Sequence, residues 1–350
     1  MSGGTLLLAS GLPLRPAGAG PPTSFQRQLE LLAGGFRRSG REALLAGPPW
    51  ERQFEGPGIE EAVLLGYPDQ FPWLREAGWP PFSLYLWAQC SHPPDPRAYG
   101  PARAVPLTPL TAAFLARAGV LHPGPVIPHG VDTAWFRPPA AEERARARRA
   151  LGLGSSFAVG AVGANSYRKR FDLILASFAL FAAGEPGARL LIKTDRAVSR
   201  DGRDLRLLAE QNGIADRVQV LSQELSADGI RELYWALDLL LNLSEWEGFG
   251  LPVLEAMACG LPLVTHRVQG PGELAPCAEL VAEDSEPHEE GGSRLLAALP
   301  PTMSRLLARA AADPELRRQA AELGRREAVR RYELAGVVRR WEMLFREDRG

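Results

Sequence analysis

The sequence is short of lysine and of any imbalance of charge. Only Lys169 and Lys193 are lysines, so nearly every other basic residue is an arginine. Acidic residues number 41 and basic residues 40, which leaves no global positive field to attract nucleic acid. We therefore expect no nucleic-acid partner.

The sequence also has few cysteines and no long hydrophobic run. Cys90, Cys259 and Cys277 share no metal-binding or redox spacing and suggest no disulfide framework. No stretch of about 18 apolar residues lacks a charge, so no transmembrane helix is expected. The apolar run at 5–10 is too short for a secretory signal. These absences favour a cytoplasmic protein and leave peripheral membrane contact open.

A length of 350 residues exceeds the size at which one hydrophobic core usually stops growing, so two domains are expected. In the first half, short apolar runs predict strands at 5–10, 42–46, 62–66 and 83–87, with a helix at 25–36. The pattern pauses at Pro138-Pro139 and resumes after a charged helix at 140–151. Short apolar strands between helices predict parallel sheets covered on both faces.

The second half repeats the same alternation more regularly. Strands are expected at 157–162, 189–193, 218–221, 237–243 and 261–265. The helices between them are expected at 171–183, 202–212, 227–236 and 252–259. Residues 285–301 are expected to form a loop, and a helical tail follows, with Pro314 opening one helix. This βα repetition predicts a doubly wound sheet.

The most informative segment follows the strand at 237–243. It runs Ser244-Glu245-Trp246-Glu247-Gly248-Phe249-Gly250 into a helix, with Pro252 expected as the first helical residue and Gly260 just past the end. Ligands of open α/β sheets bind at the carboxyl ends of strands. A helix N-terminus there suits a diphosphate, and glycines let the backbone approach it closely.

Glu247 and Glu255 lie eight positions apart, in the loop and about one turn into the helix. Ionised carboxylates only accept hydrogen bonds, and sugar hydroxyls donate them. Taken singly, each feature is more simply explained as a helix-dipole partner or a turn. Occurring together at a strand end, they favour a ligand with hydroxyl groups on both sides of a diphosphate.

The segment from Glu247 to Glu255, with the following Ala256-Met257-Ala258-Cys259-Gly260, resembles the E-x7-E signature of retaining glycosyltransferases of family 4, the glycosyl transferases group 1. A second segment, Val126 to Thr133, is similar to the one that joins the two domains in that family. The resemblance is specific over residues 100–280 and general over residues 1–99.

The resemblance implies an α/β protein with the GT-B fold, in which two doubly wound Rossmann-like domains face each other across a cleft. The expected domains are an N-terminal acceptor domain at 1–138 and a donor-binding domain for the nucleotide sugar at 139–330. A carboxyl-terminal helix at 331–350 is expected to cross back to the first domain.

The same resemblance implies roles for individual residues. Glu255 would bind the ribose of the donor, and Glu247 the hydroxyls of the transferred sugar. Lys169 matches the family lysine that binds the diphosphate, whereas Ala164 stands where the family has arginine, so Arg168 is expected to supply the second charge. The backbone that would meet the sugar and diphosphate is that of Gly248, Phe249, Gly250 and Leu251.

In the first domain, Gly18 and Gly20 stand where family members close over the donor phosphate. His92 lies near the place of a family histidine but aligns poorly with it. His129 is better explained as part of the segment joining the domains. Scattered tryptophans such as Trp87 are expected in the core rather than in an acceptor groove.

The reaction implied is a hexosyltransferase-like transfer (EC 2.4) from a nucleotide-diphosphate sugar, which is a substrate and not a cofactor. No Asp-x-Asp pair occurs, so no bridging metal and no other cofactor is expected. The resemblance implies retention of configuration, and a front-face route is favoured because no covalent nucleophile stands out. The acceptor is left open as a glycan, a lipid-linked molecule or a small molecule.

Three hypotheses about the function stay open: an active transferase, a hydrolase or epimerase on the same fold, and a non-catalytic protein that binds the nucleotide sugar. A dinucleotide-dependent oxidoreductase is disfavoured, because the glycines at 18 and 20 lack the full G-x-G-x-x-G spacing.

Overall fold

A computed structural model describes residues 5–12, 14, 24–47, 58–67, 70–71, 83–88, 94–100, 102–120, 123–290 and 293–349. The chain divides into two compact units. The first unit comprises Met1–Asp132 together with Arg331–Gly350, and the second comprises Thr133–Arg330.

The first unit is built on a parallel sheet. Its described strands are β1 (Thr5–Ser10), β2 (Ala43–Ala46), β3 (Ile59–Gly66), β4 (Ser83–Ala88) and β5 (Arg103–Pro106). They lie in the order β2-β1-β3-β4-β5. The helices described are α1 (Ser24–Arg38), α2 (Pro109–Arg117) and, from the far end of the chain, α11 (Leu334–Arg349).

Helix α11 supplies aromatic side chains to the core of this unit. The ring of Trp341 stands perpendicular to that of Trp87 at 5.4 Å, and the rings of Phe345 and Tyr85 are 5.1 Å apart. Trp87 is fully buried and its Nε1–H donates to the carbonyl of Ile127 over 2.6 Å. The expectation that Trp87 belongs to the core is confirmed.

The second unit contains the longer βα alternation. Its strands are β6 (Phe157–Val162), β7 (Ala188–Lys193), β8 (Val218–Leu221), β9 (Leu239–Leu241), β10 (Leu263–His266), β11 (Val281–Ala282), β12 (Ser285–Glu290) and β13 (Ser293–Ala298). Its helices are α3 (Ala141–Ala150), α4 (Phe171–Gly184), α5 (Leu205–Gln211), α6 (Ala227–Ala236), α7 (Leu251–Ala258), α8 (Pro271–Leu274), α9 (Pro300–Ala312) and α10 (Pro314–Tyr332).

Six of these strands form a parallel sheet in the order β11-β10-β9-β6-β7-β8. Helices α4 and α9 pack on one face, where Phe178, Leu190 and Met303 belong to one buried cluster. The doubly wound α/β architecture expected from the sequence is therefore confirmed.

The structure corrects the sequence expectations, and the largest correction concerns residues 285–301. Most of the described part of this expected loop is strand, because β12 and β13 pair antiparallel, from Ser285 with Ala298 to Glu290 with Ser293. The sequence signal that was missed is the Gly-Gly pair at 291–292, which favours a hairpin turn. Strand β9 covers only Leu239–Leu241 of the expected 237–243, and α7 begins at Leu251 rather than at Pro252.

Two chain segments of the first unit are tied to each other near its boundary. The N–H of Val131 donates to the carbonyl of Tyr332 over 2.9 Å, and the N–H of Leu334 donates to the carbonyl of Val131 over 3.0 Å. They form an isolated parallel bridge between Val131 and Glu333. No described helix of the chain is both long enough and apolar enough to cross a membrane.

Candidate functional site

The sheet of the second unit reverses its winding between two neighbouring strands. From β6 the chain continues to β7 and β8 on one side, whereas β9, β10 and β11 lie on the other side. Strands β6 and β9 are adjacent and parallel, so the loops that follow them leave the same edge of the sheet side by side. Such a switch point is where open α/β sheets bind ligands.

Lys169 and Glu247 form a buried ion pair across these two loops. Lys169 ends a short 3-10 helix after β6, and Glu247 lies in the loop after β9. Lys169 Nζ is 2.6 Å from Glu247 Oε1, and the two side chains keep only 6% and 7% of their surface exposed. The structure thus brings together a cation and a carboxylate that the sequence predicted on separate segments.

Further donors hold the Glu247 carboxylate. Ser244 Oγ donates to Oε1 over 2.8 Å, Asn242 Nδ2 donates to it over 3.3 Å, and Arg168 Nη1 lies 3.7 Å from Oε2. Burial raises the pKa of Glu247, but the positive charges of Lys169 and Arg168 and the hydrogen bonds outweigh this and hold it at about 2. Burial lowers the pKa of Lys169, against the attraction of Glu247. The carboxyl group is therefore ionised at neutral pH.

Arg168 places a second positive charge beside this pair. Its guanidinium lies 5.3 Å from the ring centroid of Trp246 and donates to the Trp246 carbonyl over 3.3 Å. The side chain is 35% exposed. Ala164 is exposed at the start of the same loop. A held, partly exposed cation is therefore available in this loop although residue 164 is alanine.

Arg170 and Glu245 join the same two loops a second time. Arg170 pairs with buried Glu245 and also with Asp172, at 2.9 Å. Arg170 has a φ of 48°, a left-handed conformation that costs a non-glycine residue about 1 kcal/mol. The ion pairs offset this strain and fix the two loops against each other. This pair was not predicted from the sequence, because nothing in either segment marks their pairing.

Gly250 directly precedes α7 with a φ of 98°, which glycine adopts without strain. The N–H groups of Val253 and Leu254 donate to the Gly250 carbonyl over 3.0 and 3.1 Å, and these are the first helical bonds. The N–H groups of Gly250 and Leu251 come before them, at the position where a helix start presents donors to an anion.

Two glycines outside the predicted set shape the site. A Cβ at Gly270 would lie 2.7 Å from the carbonyl oxygen of Phe249, so this position lets another segment pack against the loop. A Cβ at Gly163 would lie 2.8 Å from Cε of Lys169 and 3.2 Å from its Nζ. Gly163 directly follows β6, and a glycine at a strand end is the signal that could have found it.

Glu255 lies about one turn into α7 and is 6% exposed. The hydroxyl of Tyr234, on α6, donates to Glu255 Oε2 over 2.9 Å. Tyr234 was not predicted from the sequence, because the contact joins two helices that no local pattern connects.

The remaining candidates from the sequence are Gly18, Gly20, His92 and His129. Gly18, Gly20 and His92 lie outside the described residues. His129 belongs to the first unit, where its ring contacts that of Trp87 at 4.6 Å. In the described ranges, no three His, Cys, Asp or Glu side chains are grouped as metal ligands would be.

Comparison with known proteins finds similarity to most of the second unit. Residues 143–289 match the family model of the glycosyl transferases group 1. The D-inositol 3-phosphate glycosyltransferase of Segniliparus rotundus is 38% identical over 149 residues, which are 41% of this chain and 32% of that protein. The match therefore spans about a third of the length of that curated relative.

Solved structures match over nearly the whole chain. Sucrose-phosphate synthase from Thermosynechococcus elongatus superposes with a TM-score of 0.76 at 18% identity, covering 98% of each chain. Anabaena HepE in complex with UDP and glucose superposes with a TM-score of 0.74 at 14% identity, covering 98% of this chain and 100% of that one. At these identities the likeness concerns the fold. Residues 143–289 thus resemble the glycosyl transferases group 1 family, in a chain with the GT-B fold.

Proposed function

We propose that this chain is a retaining glycosyltransferase that moves a hexose from a nucleotide-diphosphate sugar to an acceptor hydroxyl, without a metal ion or other cofactor. The observation that carries the proposal is the buried Lys169–Glu247 pair at the switch point of the second sheet. The family match and a structural neighbour in complex with UDP and glucose support it. A donor of this class would place the reaction in the cytoplasm.

The positive groups of the site suit the diphosphate. One of the three N–H donors of Lys169 donates to Glu247, and two are left for phosphate oxygens. Arg168 adds a second charge, and the start of α7 adds backbone donors near Gly250. Each such contact to the departing diphosphate is typically worth about 3 kcal/mol of transition-state stabilisation.

The carboxylates suit the hydroxyl groups on either side of the diphosphate. Glu247 would accept from the transferred sugar, and Glu255 from the ribose. A carboxyl group with a pKa of about 2 is a weak base, so Glu247 is better suited to binding a hydroxyl than to removing its proton. This assigns Glu247 to recognition of the sugar.

The transfer then follows a front-face route. The anomeric C–O bond to the diphosphate breaks, and the acceptor oxygen forms its bond to the anomeric carbon on the same face. The acceptor proton passes to an oxygen of the leaving phosphate, so no protein nucleophile is required. The acceptor is a glycan, a lipid-linked molecule or a small molecule chosen by residues 1–138, and a lipid-linked acceptor would bring peripheral membrane contact.

The test is to incubate the purified chain with UDP-glucose, UDP-N-acetylglucosamine and GDP-mannose, with and without candidate acceptors, and to follow nucleotide release, products and anomeric configuration. Glu255→Ala and Lys169→Ala should each raise the Kd of the donor by about 10- to 100-fold, the value of a lost hydrogen bond to a charged group.

The matched control is Lys193→Ala, which removes the other lysine. Lys193 ends β7 and its Nζ donates to the carbonyl of Thr194 over 2.7 Å. Donor affinity should change less than twofold in this variant. Equal losses in both lysine variants, or no donor binding by the parent chain, would refute the assignment. Turnover with water alone would replace transfer by hydrolysis.

A further inference from the structure

The hydrogen-bond donors around Glu247 are distributed unevenly between its two oxygens. Oε1 lies 2.6 Å from Lys169 Nζ, 2.8 Å from Ser244 Oγ and 3.3 Å from Asn242 Nδ2. Oε2 faces only Arg168 Nη1 among the described residues, at 3.7 Å, which is beyond hydrogen-bond distance. A carboxylate offers about four lone-pair sites in all. Three donors therefore fill Oε1, and the remaining acceptor capacity is on Oε2.

The donors on Oε1 are themselves fixed by the sheet. The N–H of Asn242 donates to the Val264 carbonyl over 3.1 Å, and Thr265 Oγ1 donates to the Asn242 carbonyl over 2.9 Å. Asn242 Oδ1 accepts from the N–H of Ser244 over 3.2 Å, which directs its Nδ2 to Glu247. The orientation of the Asn242 amide is thus set by partners at both ends.

His266 holds Ser244 from the neighbouring strand. Its Nε2 lies 3.0 Å from the carbonyl oxygen of Ser244, so Nε2 carries the proton. Its Nδ1 then accepts from Ser285 Oγ, at 3.2 Å. Ser244 is therefore anchored through its backbone while its hydroxyl is directed at Glu247.

We propose that Ser244 and Asn242 are positioning residues that turn the Glu247 carboxylate so that it meets the transferred sugar through Oε2 alone. This inference rests on the proposed function and specifies it. Glu247 accepts from one sugar hydroxyl and does not chelate a vicinal pair with both oxygens. Sugar selectivity at this position then depends on a single hydroxyl beside Arg168.

The first experiment separates positioning of the sugar from binding of the nucleotide. The Kd values of UDP, UDP-glucose, UDP-N-acetylglucosamine, GDP and GDP-mannose are measured by calorimetry for the parent and for variants. Ser244→Ala should weaken the best-binding sugar nucleotide about tenfold and leave its nucleoside diphosphate within twofold. Ser244→Thr, which keeps the hydroxyl, should restore the parent values.

The control is Tyr234→Phe, which removes one hydroxyl donor from the other carboxylate, Glu255. It should weaken the nucleoside diphosphate and the sugar nucleotide by the same factor, because Glu255 is assigned to the ribose. If Ser244→Ala also weakens both equally, or weakens neither, the positioning role is refuted. Melting temperatures of all variants show whether the fold is intact.

The second experiment counts the hydroxyls that Glu247 contacts. Monodeoxy analogues of the bound sugar nucleotide are tested against the parent and Glu247→Ala. We expect the loss of the Glu247 carboxylate to be energetically coupled to the loss of one sugar hydroxyl. Coupling to two adjacent hydroxyls would overturn the inference. If Glu247→Ala weakens sugar binding but Ser244→Ala does not, the proposed function stands and this inference fails. If the parent binds none of the probes, the proposed function fails first.

Discussion

Gly163→Ala tests the site without removing any of its functional groups. The added Cβ would lie 2.8 Å from Cε, 3.2 Å from Cδ and 3.2 Å from Nζ of Lys169. Carbon atoms pack best at about 3.5–4.0 Å, so the end of the lysine side chain must retreat by roughly 0.7 Å or more. Since Lys169 is buried, it cannot swing freely into solvent.

We expect the displaced Lys169 ammonium to bind Glu247 and the diphosphate more weakly. A hydrogen bond between charged groups is worth about 1.5–3 kcal/mol, and losing about half of it raises a Kd by roughly 4- to 12-fold. We expect donor affinity, measured by calorimetry with the sugar nucleotides named above, to fall by about this factor. Global stability should change little, because the clash involves a side chain rather than backbone.

Two controls make the result specific. Gly187→Ala adds the same methyl group at an exposed turn where nothing lies within 4 Å, and it should bind donor like the parent. In a Lys169→Ala background, Gly163→Ala should cause no further loss, because it acts through the lysine. An additional loss in that background, or unchanged affinity in the single variant, would refute the reasoning.

Two further variants test the second unit. Burial holds the pKa of His266 at about 4 against an ordinary 6.5, so its contribution to stability is intact above pH 6.5 and falls by about 3 kcal/mol as the pH drops to 4. His266→Gln should flatten the pH dependence of the urea midpoint between pH 6.5 and 4, and an unchanged slope would contradict the assignment. Arg325 Nη1 donates to the carbonyls of Thr133, Phe136 and Ala258 over 3.0, 2.9 and 2.9 Å. Arg325→Ala should destabilise the unit by about 3 kcal/mol in denaturant unfolding. Its exposed neighbour serves as the control, since Arg326→Ala should cost less than about 0.5 kcal/mol. Similar losses in both variants would show that the three Arg325 hydrogen bonds do not stabilise the unit.

The fold was largely predictable because buried strands of parallel sheets leave a strong signal. Strands β1, β6 and β8 begin and end at the residues expected from the sequence, 5–10, 157–162 and 218–221. The hairpin of β12 and β13 was not predictable in this way. Its first strand runs Ser-Glu-Pro-His-Glu-Glu and carries none of the apolar periodicity on which the other assignments rest.

The candidate site was predictable where chemistry and backbone geometry coincide in one segment. Glu247 and Gly250 lie in one segment of the sequence, and Lys169 was predicted from a second segment. The sequence could not show that Lys169 is 2.6 Å from Glu247, because that contact depends on strand order in the sheet. Tyr234 and the Arg170–Glu245 pair were missed for the same reason, since each joins elements that are distant along the chain.

The first unit consists of two segments that are distant along the chain, and this affects how it folds during synthesis. Residues of α11, among them Trp341 and Phe345, complete an aromatic core begun by Tyr85 and Trp87. During synthesis those side chains leave the ribosome only after the whole second unit has been translated. Domains usually fold in the order of their synthesis. Here the second unit can fold before the first. Until α11 has been synthesised, the first unit exposes apolar surface that chaperones would have to protect.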